Sequence, residues 1–385
     1  MPFTFRQRAL AATIEVLVCL LALPSEANAG ALAAGEKHTC ALTDAGGVKC
    51  WGYNFYGQLG DGTNQNRFAP VPVIGLASGV TAIVAGRYHT CAITSGGRAK
   101  CWGDNFIGQL GDGTTEGRNT PVFVKRIKSA VLAMMAGYHH TCASTLNNGL
   151  ICWGSNQYGQ LGDGTGVDSL SPRTVKKLNS GAVAITAGSY HSCAVTGEGG
   201  AKCWGWNNLG QIGDGTPGST GNSKYLPVFV QRLKSAVSTV AGGNGHSCAI
   251  ANGRVKCWGN NAWGQLGDGS GTSQWGPVTV VARRKDLPIG AVVTGYAHSC
   301  KITSAEAVRC WGAGGTIGDG TNTQRPTPVQ VNGLRNGVAE IVAGGYHNCV
   351  IVGAGTVKCW GFNDKGQIGD ESFSNRLAPV RVKGL

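Results

Sequence analysis

The sequence predicts an all-β protein, a seven-bladed β-propeller of four-stranded antiparallel blades. Three observations lead there. An H-x-C followed nine or ten residues later by C-W-G occurs seven times in the 385 residues. The second cysteines of these units lie 51, 51, 51, 54, 53 and 49 residues apart, a period that belongs to propellers and solenoids. Each unit also holds four short strand-like runs. A four-stranded sheet cannot bury both faces alone, whereas seven packed radially can, and the ring leaves no long open edge. A linear β-solenoid is the alternative, but its coils usually repeat at a shorter period.

The second unit shows the elements in order. Its runs are Val80 to Val84, Thr90 to Thr94, Ala99 to Trp102 and Pro121 to Val124. Gly, Asn and Asp clusters separate them, as hairpins require. The repeat region shows no 3.6-residue apolar period. Glycine is 63 of 385 residues without a collagen-like register, so it reads as turn glycine. The first unit begins on an innermost strand near Gly30, and the last ends on an outermost one, Pro379 to Val382. The ring is therefore expected to close by face packing, with no strand exchanged.

These residues carry a resemblance. The phrase A-G-x-x-H-[TS]-C-A, seen from Ala85 to Ala92, precedes C-W-G-x-N-x-x-G-Q-[LI]-G-D-G-T, seen from Cys101 to Thr114. Together they resemble the regulator of chromosome condensation repeat over residues 30–385, in its secreted bacterial seven-bladed form. The resemblance implies a seven-bladed propeller. Some secreted propellers similar to this family inhibit β-lactamases, and the family name itself points to guanine-nucleotide exchange on a small GTPase. Two copies depart from the pattern. The sixth is shortened to Trp311 to Gly318, and the seventh has Gly369-Asp370-Glu371 in place of G-D-G.

Residues 1–29 read as a signal peptide. Arg6 and Arg8 precede the apolar run Ala9 to Leu23, and Ala27-Asn28-Ala29 is an A-x-A cleavage site. A membrane anchor and a lipoprotein signal at Cys19 are the alternatives. The anchor is short for a bilayer and is interrupted by Glu15. Cleavage would remove Cys19, the odd one of 15 cysteines. The remaining ones pair within their hairpins: Cys40 with Cys50, Cys91 with Cys101, Cys142 with Cys152, Cys193 with Cys203, Cys248 with Cys257, Cys300 with Cys310, and Cys349 with Cys359. An even count in an exported chain favours disulfides, each contributing about 2–3 kcal/mol. The competing reading is a metal site built on His38, Cys40 and Cys50. It offers three ligands per blade where structural zinc takes four. The expected location is secreted, periplasmic or envelope-associated, with no transmembrane segment in the mature chain.

The recurring side chains read as structural. His38, His89, His140, His191, His246, His298 and His347 are expected to bond neighbouring backbone carbonyls. Trp51 and its six counterparts are expected to pack between blades. Asp61 and its counterparts are expected to form turns, since one carboxylate per repeat does not make a calcium loop. No cofactor and no metal are expected.

Specificity is then expected where blades differ. One face gathers Tyr53, Phe55, Tyr56, Tyr88, Phe106, Tyr138, Tyr158, Tyr190, Trp206, Trp263, Tyr296, Tyr346 and Phe362, with Arg87, Asp104 and Asn260 among them. Such a surface suits a protein or a glycan, with about half of the rings expected exposed, because such rings are seldom fully buried. The opposite face is basic, with Lys125, Arg126, Lys128, Lys176, Lys177, Arg232, Lys234, Arg283, Arg284, Lys285 and Arg335 at or near the links, and the net charge is +13. It would attract an anionic envelope polymer, or it is a solvated face that keeps the protein soluble. Nucleic acid is not the expected partner, because no aromatic-interleaved groove accompanies the charge. The leading functional expectation is an exported, non-enzymatic scaffold that binds through the aromatic face. The alternatives are an exchange factor-like regulator of a small GTPase and a propeller enzyme.

Overall fold

The computed structural model describes residues 31–385 except 148, 179–180, 220 and 283–285. The segment 1–29 and the cations Arg283, Arg284 and Lys285 lie outside the described residues. The described chain forms seven four-stranded antiparallel sheets and no α-helix. Blade 1 is β1 (Leu32–Ala34), β2 (His38–Leu42), β3 (Val48–Gly52) and β4 (Arg67–Pro72). Blade 2 is β5 (Val80–Ala85), β6 (His89–Thr94), β7 (Ala99–Gly103) and β8 (Arg118–Phe123). Strands β9 to β24 build blades 3–6 from Val131 to Gln330. Blade 7 is β25 (Val338–Ala343), β26 (His347–Val352), β27 (Thr356–Gly361) and β28 (Arg376–Arg381). Each sheet pairs its strands in chain order, and among the described residues no strand is shared between the first and last blades.

The fourth strands begin earlier than their apolar content predicts. In blade 2 the ladder reaches back to Arg118, opposite Gly103, past a register shift between Cys101 and Gly103. Gly103 takes a left-handed backbone at φ 105°. That bulge lets a polar, low-propensity stretch enter the sheet.

The two cysteines of each hairpin face one another directly across the second and third strands. Cys40 stands opposite Cys50 and Cys91 opposite Cys101. Cys142 meets Cys152, Cys193 meets Cys203 and Cys248 meets Cys257 in blades 3 to 5. Cys300 meets Cys310 and Cys349 meets Cys359 in the last two. All seven pairs are disulfides, with Cα atoms 4.1 Å apart. Seven such bonds suggest an oxidising compartment.

The apolar core lies between blades. Trp102 of blade 2 is fully buried against Val48, Leu59, Val73 and Ile83. Its indole Nε1 donates to the Gln58 carbonyl of blade 1 at 2.9 Å, and the Thr90 hydroxyl donates to the same oxygen at 2.8 Å. Thr90 in turn accepts from His38 Nε2 at 2.9 Å. Six of the seven histidines therefore bond the next blade's hydroxyl and His298 bonds the Asn348 amide oxygen at 2.8 Å, in place of the backbone carbonyl expected from the sequence. Because the hydroxyl's hydrogen is committed to Gln58, the imidazole proton must sit on Nε2.

The same relay recurs at five other seams, ending with His347 on Thr39 at 2.7 Å, while between blades 6 and 7 His298 pairs with Asn348 Oδ1. In the sixth blade the shortened loop presents the Thr316 carbonyl in place of glutamine's. Trp360 and Asn348 both donate to it, at 3.0 and 2.9 Å. Gly35 permits the arrangement, since a Cβ there would collide with the His38 ring and the Gly86 carbonyl. The aspartates behave as turn formers: Asp61 accepts from the Thr63 amide at 3.0 Å and from Arg67 Nε at 2.7 Å.

Candidate functional site

The seven G-x-x-H turns meet at one end of the central channel. Their first variable residues are Glu36, Arg87, Tyr138, Ser189, Asn244, Tyr296 and Gly345, and all seven line its neck. Backbone bonds between adjacent turns hold this rim. The Arg87 amide donates to Gly137 O at 3.2 Å, Tyr138 to Ser189 O at 3.2 Å, and Gly345 to Gly35 O at 3.1 Å. Side chains that differ from blade to blade are thus fixed on a uniform frame.

Arg87 organises one side of the rim. Its Nε donates to Glu36 Oε2 at 2.6 Å. Its guanidinium carbon sits 4.7 Å from the Tyr88 ring centre and 4.8 Å from that of Tyr138. Burial opposes the Arg87 charge, but Glu36 more than offsets it and holds the group firmly protonated. Burial also pushes the Tyr138 hydroxyl well above the ordinary tyrosine range, with Glu36 acting in the same direction.

The thirteen predicted face residues fall into three ring clusters and one lone ring. Tyr53, Tyr56, Tyr88 and Phe106 join Phe55 on blades 1 and 2, with Tyr56 and Tyr88 stacked at 4.9 Å. Tyr138, Tyr158, Tyr190 and Trp206 form the second cluster on blades 3 and 4. Tyr296, Tyr346 and Phe362 form the third on blades 6 and 7, the first two stacked at 5.0 Å. Trp263 stands between the second and third.

Five of the thirteen are exposed: Phe106 (71 %), Phe55 (63 %), Trp263 (52 %), Phe362 (39 %) and Tyr296 (36 %). The other eight are half-buried, so fewer rings are free than the sequence suggests. Ring-on-ring packing between neighbouring blades covers them.

The arrangement leaves two depressions. A cup of about 470 Å³ at the channel mouth is walled by Tyr138, Tyr190, Trp206, Trp263, Tyr296 and Tyr346. Its polar groups are Glu36, Arg87, Asn244 and Asn260, and Leu209 adds an apolar contact. A groove of about 510 Å³ runs between blades 1 and 2 along Phe55, Tyr56, Phe106 and Asn119. Asp104 lines it as well. Burial tends to raise the Asp104 pKa, but the His139 ring 3.6 Å away and a bond from the Phe106 amide outweigh this and hold it below the usual carboxylate range.

Sequence reading missed Glu36, Leu209 and Asn244. The signal was available for two of them, since Glu36 and Asn244 occupy the same turn position as Arg87. Among the described residues, no group of three His, Cys, Asp or Glu side chains is placed to hold a metal ion. No described helix is long and apolar enough to cross a membrane.

The fold and the repeated seam chemistry define a propeller of the regulator of chromosome condensation type. The RCC1-like domain model matches residues 10–236, and the RCC1 repeat models match 252–302 and 338–367. The chain belongs to this family. It is 32 % identical over 308 residues to the ultraviolet-B receptor UVR8 of Arabidopsis thaliana, covering 78 % of this chain and 69 % of that protein. Human WBSCR16 has a similar structure, with a TM-score of 0.79 at 22 % identity over 88 % of this chain and 94 % of its own. Prp20p of Saccharomyces cerevisiae superposes with a TM-score of 0.77 at 20 % identity, over 87 % of this chain and 85 % of its own. The last two likenesses concern the fold alone.

Proposed function

We propose that this chain is an exported, non-enzymatic scaffold that holds a protein partner on its aromatic face. One observation carries the reading. The cup at the channel mouth places six aromatic rings around a few polar groups on a rigid, disulfide-pinned frame. Large rings already half-ordered by their neighbours lose little entropy on binding, and Trp, Tyr and Arg are the residue types that anchor protein interfaces. Prp20p, which shares the fold, is described by its binding to Gsp1p and histones. That is a precedent for a protein occupant and does not name this one. The seven disulfides and the N-terminal leader pattern support export.

The test places a photo-crosslinking amino acid at Leu209, on the cup wall, in an exporting bacterial host. Crosslinked protein should appear there and disappear when Trp206, Trp263 and Tyr158 are all replaced with alanine. The variant should keep the melting temperature of the parent. Undiminished crosslinking in the folded triple variant would rule out this face. A polysaccharide adduct in place of a protein would shift the partner class while keeping the site. Intact mass with and without reduction checks export: the exported chain starts at Gly30 and takes up alkylating label only once reduced.

A further inference from the structure

The links from one blade's fourth strand to the next blade's first lie on the face opposite the cup. They pack against the turns between second and third strands. Ser95 N donates to Gly79 O at 2.8 Å and Leu146 N to Ala130 O at 3.0 Å. Three consecutive links carry seven exposed cations. Lys125, Arg126 and Lys128 follow blade 2, Lys176 and Lys177 follow blade 3, and Arg232 and Lys234 follow blade 4. None is ion-paired with a described carboxylate, whereas Arg67, Arg118, Arg325 and Arg376 are each held by an aspartate of their own blade. On the turns that flank these links, Glu198 is the one acidic residue.

The backbone supplies an independent observation. The second residue after the link valine that follows each fourth strand is Gly75, Gly333 and Gly384 in blades 1, 6 and 7, with φ of 69°, 69° and 80°. In blades 2, 3 and 4 the same left-handed position holds Arg126, Lys177 and Arg232, with φ of 62°, 58° and 58°. A side chain with a Cβ is strained there and glycine is not. The fold does not need a cation at this position, since three sibling links manage with glycine. Strain kept at one repeated position, and always for a cation, points to a role outside folding.

We propose that the links after blades 2, 3 and 4 form a binding arc for a linear phosphate polymer. The cations are spread along three successive blades and do not converge on a pocket. That geometry engages many phosphates of one chain weakly and together, in place of one phosphate strongly. Arg126 and Arg232 offer planar forks that match two phosphate oxygens, and the lysines add mobile point charges. The aromatic rings nearby are already capped by cations: Arg98 lies 3.6 Å from the Phe123 ring centre and Lys202 4.6 Å from that of Phe229. They are not free to stack nucleobases, so the backbone charge of the polymer is what the arc reads.

The test uses long-chain inorganic polyphosphate as the probe and the purified full chain, titrated at low and physiological salt. The parent should bind, with affinity falling steeply as salt rises. The variant R126G/K177G/R232G should melt no lower than the parent, because glycine suits those φ values. It should bind polyphosphate at least tenfold more weakly and with a shallower salt dependence. A W206A/W263A variant should bind polyphosphate as the parent does, which separates this arc from the cup. Equal polyphosphate binding by the triple-glycine variant would overturn the proposal. So would parent affinity for inorganic phosphate matching that for the polymer, or binding to phosphatidylglycerol vesicles without binding to polyphosphate.

Discussion

His347 Nε2 lies 2.7 Å from the hydroxyl of Thr39, 308 residues away, and this pair closes the ring. Thr39 also donates to the Gln367 carbonyl at 2.9 Å, and Trp51 Nε1 reaches the same oxygen at 3.0 Å. The closing seam thus repeats the chemistry of five of the other six. It adds a Lys37–Asp364 ion pair at 2.8 Å and a bond from the Leu32 amide to Glu340 at 3.2 Å. Replacing Thr39 with valine keeps the shape but leaves the Nε2 proton of His347 without its acceptor. The expected loss is about 1–3 kcal/mol. Thr90→Val at the first seam should lose a similar amount in a denaturant titration. A far larger loss at Thr39 would mean that closure depends on this seam beyond its bonds.

Acid should destabilise the ring through its histidines. Burial lowers the pKa of all seven repeat histidines, to about 3 for His38, His140, His246 and His347 and about 4 for His89, His191 and His298. The folded state holds them neutral, while the unfolded chain protonates them near 6.5. Their contribution is therefore complete above pH 6.5 and is lost as pH falls toward 4. Each costs up to about 1.4 kcal/mol per pH unit over that range. Glu340 has the opposite sign. Burial raises it to about 7, so its contribution is complete below about 4.5 and is lost as pH rises through 7. Melting temperature measured from pH 8 to 4 should drop below 6.5. Glu340→Gln should leave the acid limb in place and be at least as stable as the parent at pH 8. A flat profile between 6.5 and 5 would contradict the neutral-histidine relay.

Much of this was legible in the sequence because repetition makes it so. The period set the blade count, the opposed Cys40 and Cys50 set the hairpin register, and the position of Trp102 set the blade packing. The relay was not legible, because the partner of His38 is Thr90, 52 residues on. Only the ring brings them together. The histidine and the hydroxyl were both visible as repeated letters, but nothing in their spacing says that one reaches the next blade. The aromatic face was visible as a composition. Its division into a cup and a groove depends on which rings cover which, and that follows from neighbouring blades and not from either blade alone.

Blade 6 carries a charge cluster that its siblings lack. Lys301 stands where Ala41, Ala92, Ala143, Ala194 and Ala249 stand in other blades, directly across from Arg309. The longer preceding link delivers Asp286, whose Oδ2 is 3.0 Å from Arg309 Nε and 3.8 Å from Lys301 Nζ. Neither contact is aligned as a hydrogen bond, so the attraction is one of charge. Burial pulls the Lys301 pKa down, with Arg309 adding to it and Asp286 resisting. Removing the single carboxylate leaves two buried cations facing each other. Asp286→Asn should cost about 3–5 kcal/mol. Adding Lys301→Met to that variant should recover most of the loss, as read by urea unfolding. No recovery would place the cost in the link itself.

Glu371 breaks the G-D-G of the seventh blade, and the backbone did not change to suit it. Its φ is 64°, in the same region as Gly62 at 79° and Gly113 at 81° in the corresponding loops. The left-handed conformation costs a residue with a Cβ about 1 kcal/mol or more. In partial return, Glu371 pairs with Lys383 at 2.9 Å. Both partners are exposed, and such a pair contributes about 0–1 kcal/mol. The strain outweighs the pair, so Glu371→Gly should stabilise the protein by up to about 1 kcal/mol, with a higher melting temperature. High salt separates the two effects, because it screens the ion pair and leaves the backbone untouched. The advantage of the glycine variant should therefore widen as salt is raised. A glycine variant less stable than the parent at low salt, with the deficit closing as salt is raised, would show that the Lys383 contact, and not the strained φ, governs this corner of the last blade.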